Sequence, residues 1–286
     1  MEALKRKKIK VRTIDGLIAQ SVLYTVVAAA IAATALPLLV TLFNSLKNDY
    51  EIMTGLLAPP KAFVFGNFKT AWDTVIGNIL NSIALALIVA VANTLLGAAN
   101  AYVFARKEFF LKRAIFNVYI FVMMIPAIVG MPILYRFIDN VGLMDNWFAI
   151  LLPTVAGGQV AALFLFRAFI GQQPAAIYEA ARVDGANDFR MFFTLTLPLA
   201  IPIVMLSAVT VFTGIYNDYL WPGLVMRTDK LSPLMPILQR LVLQYSRSGR
   251  GVPYAMYLIS GIPLVFMTVI GMRYFQSGDF AAGMKL

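Results

Sequence analysis

Cysteine and histidine are both absent from this 286-residue chain. Their absence excludes disulfide frameworks, thiol nucleophiles, Cys/His zinc sites and serine–histidine–aspartate triads. Charge is scarce as well: Asp, Glu, Lys and Arg make up 13% of residues against 60% hydrophobic, and the mean hydropathy of +0.77 is far above that of a soluble domain. No Gly-rich loop ends in Gly-Lys-Ser or Gly-Lys-Thr, so the chain has no phosphate cradle with which to hydrolyse ATP itself. It also has no internal repeat and no low-complexity stretch. What remains is an all-α, polytopic membrane protein. Its 24 basic residues outnumber 14 acidic ones, for a formal charge of +10. In so apolar a chain that surplus marks membrane-flanking loops rather than a nucleic-acid partner.

Residues 1–16 hold Lys5, Arg6, Lys7, Lys8, Lys10 and Arg12, followed by an uncharged run at 17–43. That run exceeds a signal-peptide core of about 7–15 residues and is long enough to cross a hydrocarbon layer of about 30 Å with some tilt. Five further apolar spans follow at 78–105, 114–135, 148–166, 198–216 and 254–272, none containing Asp, Glu, Lys or Arg. A charge at mid-bilayer costs about 2.5–3.5 kcal/mol on insertion scales and is usually kept only for function. The expected organisation is therefore an N-terminal cytoplasmic segment at 1–16, a six-helix domain at 17–272 and a cytoplasmic tail at 273–286. Most Lys and Arg residues then fall inside, led by the N-terminal cluster and by Arg106, Lys107, Lys112 and Arg113. The loop at 44–77 reads as polar and turn-rich, too irregular to lie in lipid. The loop at 222–253 departs from the charge rule, with Arg227, Lys230, Arg240, Arg247 and Arg250 against Asp229 alone. Its charges are either simply solvated or meet an acidic protein surface or an anionic solute.

Polar residues within the spans are few: Asn81, Ser82, Asn93 and Asn100, then Asn117, Gln159, Ser207, Thr210 and Thr213. Interhelical hydrogen bonding is the usual role of such side chains, worth about 0.6 kcal/mol each; lining a pathway is the alternative. Pro126, Pro132, Pro202 and Pro263 are expected to kink their helices, which suits either a moving gate or static packing.

Between the fourth and fifth spans lies a polar, helix-forming island at 173–198, QPAAIYEAARVDGANDFRMFFTLTLP. Pro174 suits a first helical turn, and residues 175–183 are strong helix formers. Asp184 and Gly185 stop that helix, the glycine supplying a left-handed residue. Asn187 or Asp188 can cap a second helix running into Pro198. Ala180 and Ala181 let a partner surface approach closely, and Glu179 offers it a carboxylate. The expectation is helix, sharp turn, helix: either an ordinary interhelical loop or a docking element.

Glu179-Ala180-Ala181, Gly185 after three residues and Leu195-Thr196-Leu197-Pro198 after nine more resemble the EAA loop of permease subunits in binding-protein-dependent ABC importers. SLKNDYEI in the first external loop, Gly66-Asn67-Phe68, Asn81-Ser82, YNDYLWP at 216–222 and FAAGMK at 280–285 are similar to the same family. The likeness covers nearly the whole chain and points to the smaller permease subunit of carbohydrate-uptake systems of the maltose type. Leu286 ends the tail where family members often have Gly, and residues 231–254 do not follow the usual loop closely.

The resemblance implies a type I importer permease in a bacterial inner membrane, with both termini cytoplasmic. Glu179, Ala180, Ala181, Asp184 and Gly185 would dock on an ATPase subunit, and Gly283 and Lys285 would reach between the ATPases. It further implies a second permease subunit, two ATP-binding cassette subunits carrying ATP and magnesium, and an extracytoplasmic solute-binding protein, with lipid around the spans. This chain itself would bind no cofactor and catalyse no reaction. The solute would be a carbohydrate, and the basic external loop favours an acidic oligosaccharide. Two other classes compete: an ion-coupled carrier, which usually needs ionisable sites in the membrane, and a membrane enzyme or scaffold, for which acid–base candidates are lacking.

Overall fold

The computed structural model describes residues 14–245 and 247–276, and every regular element among them is helical. The basic residues up to Arg12 and the tail residues Gly283 and Lys285 lie outside the described residues. In chain order the helices are α1 (Ile14–Ser45), α2 (Asp49–Thr54), α3 (Gly66–Arg106), α4 (Lys112–Met123), α5 (Ala127–Asn140), α6 (Phe148–Gly171), α7 (Ala175–Val183) and α8 (Asp188–Met191). A π-helical turn, Phe192–Thr196, leads into α9 (Leu197–Leu199), then α10 (Ile201–Asn217), α11 (Leu220–Val225), α12 (Leu234–Tyr245) and α13 (Gly251–Gln276).

By length and composition four helices can cross a membrane: Gln20–Ser45 of α1, all of α3, α6, and Gly251–Arg273 of α13. The third and fifth expected spans are each broken. α4 and α5 meet at 97°, and the segment Asp188–Leu199 meets α10 at 81°, so six spans arise only if each bent pair counts as one. Expected kinks at Pro126 and Pro202 are thus sharp breaks. Pro126 caps α5 with ψ 126°, and Pro202 sits in the first turn of α10 just after the bend at Ala200. Proline lacks an N–H and clashes with the preceding turn, so the helix ends there rather than bends.

α3 organises the bundle. At 41 residues it is about 60 Å long and packs against α6, α10 and α13. The expected irregular loop at 44–77 is corrected by it: α2 and the first three turns of α3 are helical. Ala71, Val75 and Ile79, spaced four apart, bury one face of that extension against Leu234 and Leu238 of α12 and Val252 and Met256 of α13. Deeper along α3, Leu85 packs with Ile138, Ile150 and Trp221, and Ala98, Ala101 and Tyr102 pack with Phe166, Ile170, Tyr178 and Met191. α1 by contrast rests on α13 and leaves Val22, Ile31 and Leu38 exposed, as a lipid-facing helix can.

The α3–α6 contact is close because both helices lack side chains where they cross. A Cβ on Gly97 would stand 2.3 Å from the Ala162 Cβ, and one on Gly158 only 1.7 Å from Asn93 Nδ2. Small residues at such crossings let backbones approach and van der Waals packing replace the missing hydrophobic drive. Polar side chains then bond across the seam: Asn100 Nδ2 donates to Gln159 Oε1 at 3.2 Å, Gln159 Nε2 reaches Asn93 Oδ1 at 3.5 Å, and Thr94 Oγ1 lies 3.4 Å from Ser207 Oγ of α10. Gly97→Ala is expected to destabilise the protein by about 1–3 kcal/mol through overpacking, whereas Gly157→Ala, into open space, leaves the thermal midpoint in detergent unchanged or slightly raised.

Candidate functional site

The island at 173–198 folds as helix, turn, helix. α7 ends in a Schellman arrangement: the Ala186 N–H donates to Ala181 O at 2.9 Å and the Gly185 N–H to Arg182 O at 3.0 Å, with Gly185 at φ +81°. Asn187, not Asp188, is the cap of α8, its Oδ1 accepting from the Arg190 N–H at 2.8 Å. Pro174 caps α7 from just outside, at ψ 130°, rather than entering its first turn. The second helix is short. After one turn it widens into the π-helical segment, which realigns the chain before the 81° bend.

One face of this island is locked to the end of α3. Tyr178 is buried, its hydroxyl bonded to Gln173 Oε1 and 3.0 Å from Thr196 Oγ1. The Arg106 guanidinium lies over the Tyr178 ring, 4.2 Å from its centroid, while Nη2 donates to Ile170 O at 2.6 Å and Gln173 O at 2.5 Å. Those carbonyls belong to the last turn of α6 and its exit, so a cation sits at a helix C-terminus, where the dipole favours it, and shares the Ile170 carbonyl with the Gln173 N–H. Lys107 pairs with Asp188, whose other neighbour is the Tyr102 hydroxyl at 3.4 Å. Tyr102 in turn packs against Phe192 and Tyr178, at centroid distances of 5.7 and 6.4 Å. In the sequence Arg106 figures only as a flanking charge and Gln173 only as the start of the island, and Tyr102 and Tyr178 not at all, because nothing in local spacing shows that α3 ends beside this loop.

The opposite face is free. Glu179, Ala180, Arg182, Val183, Asp184 and Gly185 are exposed and Ala181 is half-buried, so the five residues expected to dock lie together along the outer side and end of one short helix. Val183 is 88% exposed and Phe189 74%. These two are open apolar side chains on a segment that is otherwise largely polar.

At the other end of the bundle the loops are stapled to one another. Asp145, at φ +58°, accepts from the Thr228 N–H and the Arg227 N–H, both at 2.9 Å, and from Thr228 Oγ1. The Thr228 amide first, then that of Arg227, holds its carboxyl below the usual carboxylate range. Asp49 likewise accepts from the Gly249 and Arg250 amides at 2.9 and 2.7 Å. Asn78 and Asn81 donate to carbonyls of Asp229, Lys230 and Ser232, and Lys47, 1% exposed, is satisfied by Asn44 Oδ1, Gly55 O and Leu56 O. The expected surplus of free positive charge at 222–253 is smaller than the composition suggests. Arg240 pairs with Asp229 at 2.6 Å and Arg227 with Asp139 at 3.5 Å, and α12 buries Leu234, Ile237 and Leu238 against the bundle.

Residues 100–278 match the family described as binding-protein-dependent transport system inner membrane component. The chain is 34% identical over 196 residues to the diacetylchitobiose uptake system permease protein NgcG of Streptomyces coelicolor, covering 68% of this chain and 65% of that one. It is 28% identical over 265 residues to the melibiose/raffinose/stachyose import permease protein MelC of Bacillus subtilis, covering 91% and 95%. In fold it superposes with a TM-score of 0.81 on a chain of a bacterial ABC transporter involved in the import of the acidic polysaccharide alginate, at 20% identity and over 92% of this chain and 99% of that one. Arg106→Met, which removes the bonds and ring contact tying α7 to α3, is expected to raise amide exchange across 173–191 by roughly tenfold or more while exchange in the rest of α3 and in α6 stays slow.

Proposed function

The chain belongs to the family of binding-protein-dependent transport system inner membrane components, and from that premise we propose that it is one of two permease subunits of an ATP-driven sugar importer. The carrying observation is the island at 173–198, bolted to the bundle on one face and offering Glu179, Ala180, Ala181, Asp184 and Gly185 on the other. A helix so held passes force rather than absorbing it. Closure of ATPase subunits around ATP and magnesium would push on its outer face, and the Tyr178 and Arg106 contacts would pass the displacement to α3, α6 and α10. The bundle would thereby alternate between inward- and outward-open states. This chain supplies six spans when each bent pair counts as one, which is half of an enclosed path; a second permease subunit supplies the rest, and an extracytoplasmic binding protein delivers the solute.

The sugars named for NgcG and MelC support an oligosaccharide as cargo. An acidic sugar is the narrower reading. Its support is Lys230, Arg247 and Arg250, since Arg227 and Arg240 are already paired with acids.

In the assembled transporter, Glu179→Lys is expected to leave the complex inserted but to lower ATP hydrolysis, stimulated by loaded binding protein, to the unstimulated rate. Gly185→Val should do the same, because a β-branched residue at φ +81° is strained by about 1–3 kcal/mol and widens the turn. Undiminished stimulation in both variants would remove the docking role. In uptake assays, matched uronate-containing oligosaccharides are expected to compete better than neutral ones; competition by neutral ones alone would discard the acidic cargo and leave the importer reading standing.

A further inference from the structure

We propose that the cleft where α3, α4 and α6 meet, at the coupling-loop end of the bundle, binds the phosphate of an anionic phospholipid whose acyl chain lies in the apolar groove farther along α4 and α6. Two adjoining cavities of about 410 and 360 Å³ open there and share Phe104, Lys112 and Arg167 as walls. Arg113 and Asn117 stand four residues apart on α4 and so on one face; both line the second cavity, with Arg167 reaching in from α6. The Arg167 guanidinium lies over the Phe116 ring, 4.1 Å from its centroid, which fixes the cation at the mouth of the cleft.

Charge bookkeeping leaves this cleft positive. Lys112 Nζ is engaged by Glu108 Oε1 at 2.8 Å and by Lys107 O at 2.7 Å, so the one acid present is already neutralised. Among the described residues the side chains of Arg113, Asn117 and Arg167 have no ion pair or hydrogen bond. Two guanidinium groups and an amide thus converge with their donors unspent, the set that grips a phosphodiester.

The second half of the site decides between a lipid and a free anion. Ten residues along α4 from Lys112, about 15 Å, a further cavity of about 410 Å³ is lined by Val122, Ile125, Gly130, Gly157, Val160 and their apolar neighbours. α6 runs back the other way, so Gly157 and Val160 lie about 10–15 Å from Arg167 along the same groove. Gly130 and Gly157 leave it open, with nothing within 4 Å of a Cβ built on either. A phosphate-sized positive mouth in line with an apolar trough fits an amphiphile, not an inorganic ion. Clustered basic side chains beside a span are the usual grip on an anionic headgroup, at about 1 kcal/mol each.

The test is native mass spectrometry of the assembled transporter, delipidated and then exposed to phosphatidylglycerol, phosphatidylcholine of the same acyl chains, or inorganic phosphate. Phosphatidylglycerol is expected to be retained over phosphatidylcholine. Arg113→Gln with Arg167→Gln should cut its occupancy about 20- to 30-fold, two charges at the cited strength. Gly157→Leu, which fills the groove and leaves the basic mouth intact, should cut it as well. Equal retention of both lipids, indifference to the two arginine changes, or displacement of phosphatidylglycerol by inorganic phosphate would overturn the proposal. So would a disulfide between Ala161→Cys, the only cysteine in this chain, and a cysteine in the partner permease, because protein would then occupy the groove.

Discussion

The close approach of α3 and α6 at Gly97 and Gly158 is the constraint from which the rest of the architecture around the island at 173–198 follows. In hydrocarbon no hydrophobic gain drives helices together, so contact depends on backbones coming near enough for dispersion and for side-chain amides to find each other. Here a single added carbon at position 97 would overlap Ala162. With that distance set, Asn93, Asn100 and Gln159 bond across the seam. The last turns of both helices then arrive side by side, which is what lets Arg106 of α3 cap the carbonyls at the end of α6. Loosen the crossing and the cap loses its register, and with the cap goes the anchor of α7.

The two ends of the bundle are secured by different chemistry. At the end that carries the island at 173–198 the locks are a cation capping a helix, a buried tyrosine shared between Gln173 and Thr196, and the Lys107–Asp188 pair. All lie on one side of the island and leave the other bare. At the opposite end carboxylates and amides take the place of missing backbone partners: Asp145 and Asp49 each accept two amide hydrogens from distant loops, and Asn67 Nδ2 donates to Ser45 O and Lys47 O. That end is knitted together: Asp145 holds Arg227 and Thr228, Asp49 holds Gly249 and Arg250, and Asn67 closes the turn after α1. A carboxylate that accepts two backbone N–H groups makes charge-assisted hydrogen bonds that fix loop geometry closely.

Much of this was legible in the residues, and what was not has a physical reason. Apolar length gave the spans, since hydrocarbon admits little else. Gly185 as a left-handed stop and a cap at Asn187 or Asp188 are local events, set by a few neighbouring residues, and both could be read without a fold, the structure choosing Asn187. That Glu179, Ala180, Asp184 and Gly185 form a group came from the family resemblance, and their shared exposure is seen only in the fold. The helical start of α3 was hidden because Lys69, Thr70 and Asp73 are polar on the face away from the core, and its buried face of Ala71, Val75 and Ile79 depends on α12 and α13 covering it. The meeting of Arg106 and Tyr178 was invisible for a like reason: they are 72 positions apart in the sequence and come together only because α3 and α6 run side by side in the same direction and end at the same level. Proline flagged both broken spans, but whether a proline bends or ends a helix is decided by neighbours that can satisfy the freed carbonyls.

The island's two attachments differ in stiffness, and the difference has a mechanical consequence. On the α6 side only Gln172, Gln173 and Pro174 separate two helices, and Arg106 clamps that junction from α3. On the α10 side the chain passes through a π-helical turn and an 81° bend at Ala200, where backbone geometry is least regular. Tyr178 bridges the two, touching Gln173 on the stiff side and Thr196 inside the π-helical turn. A displacement of α7 is therefore rigid against α3 and α6 but compliant against α10, because the bend can open or close without breaking a continuous ladder of hydrogen bonds. On the importer reading, motion entering at Glu179 would appear first as a change in the angle between the α8–α9 segment and α10, with the α3–α6 pair serving as the frame against which α10 moves.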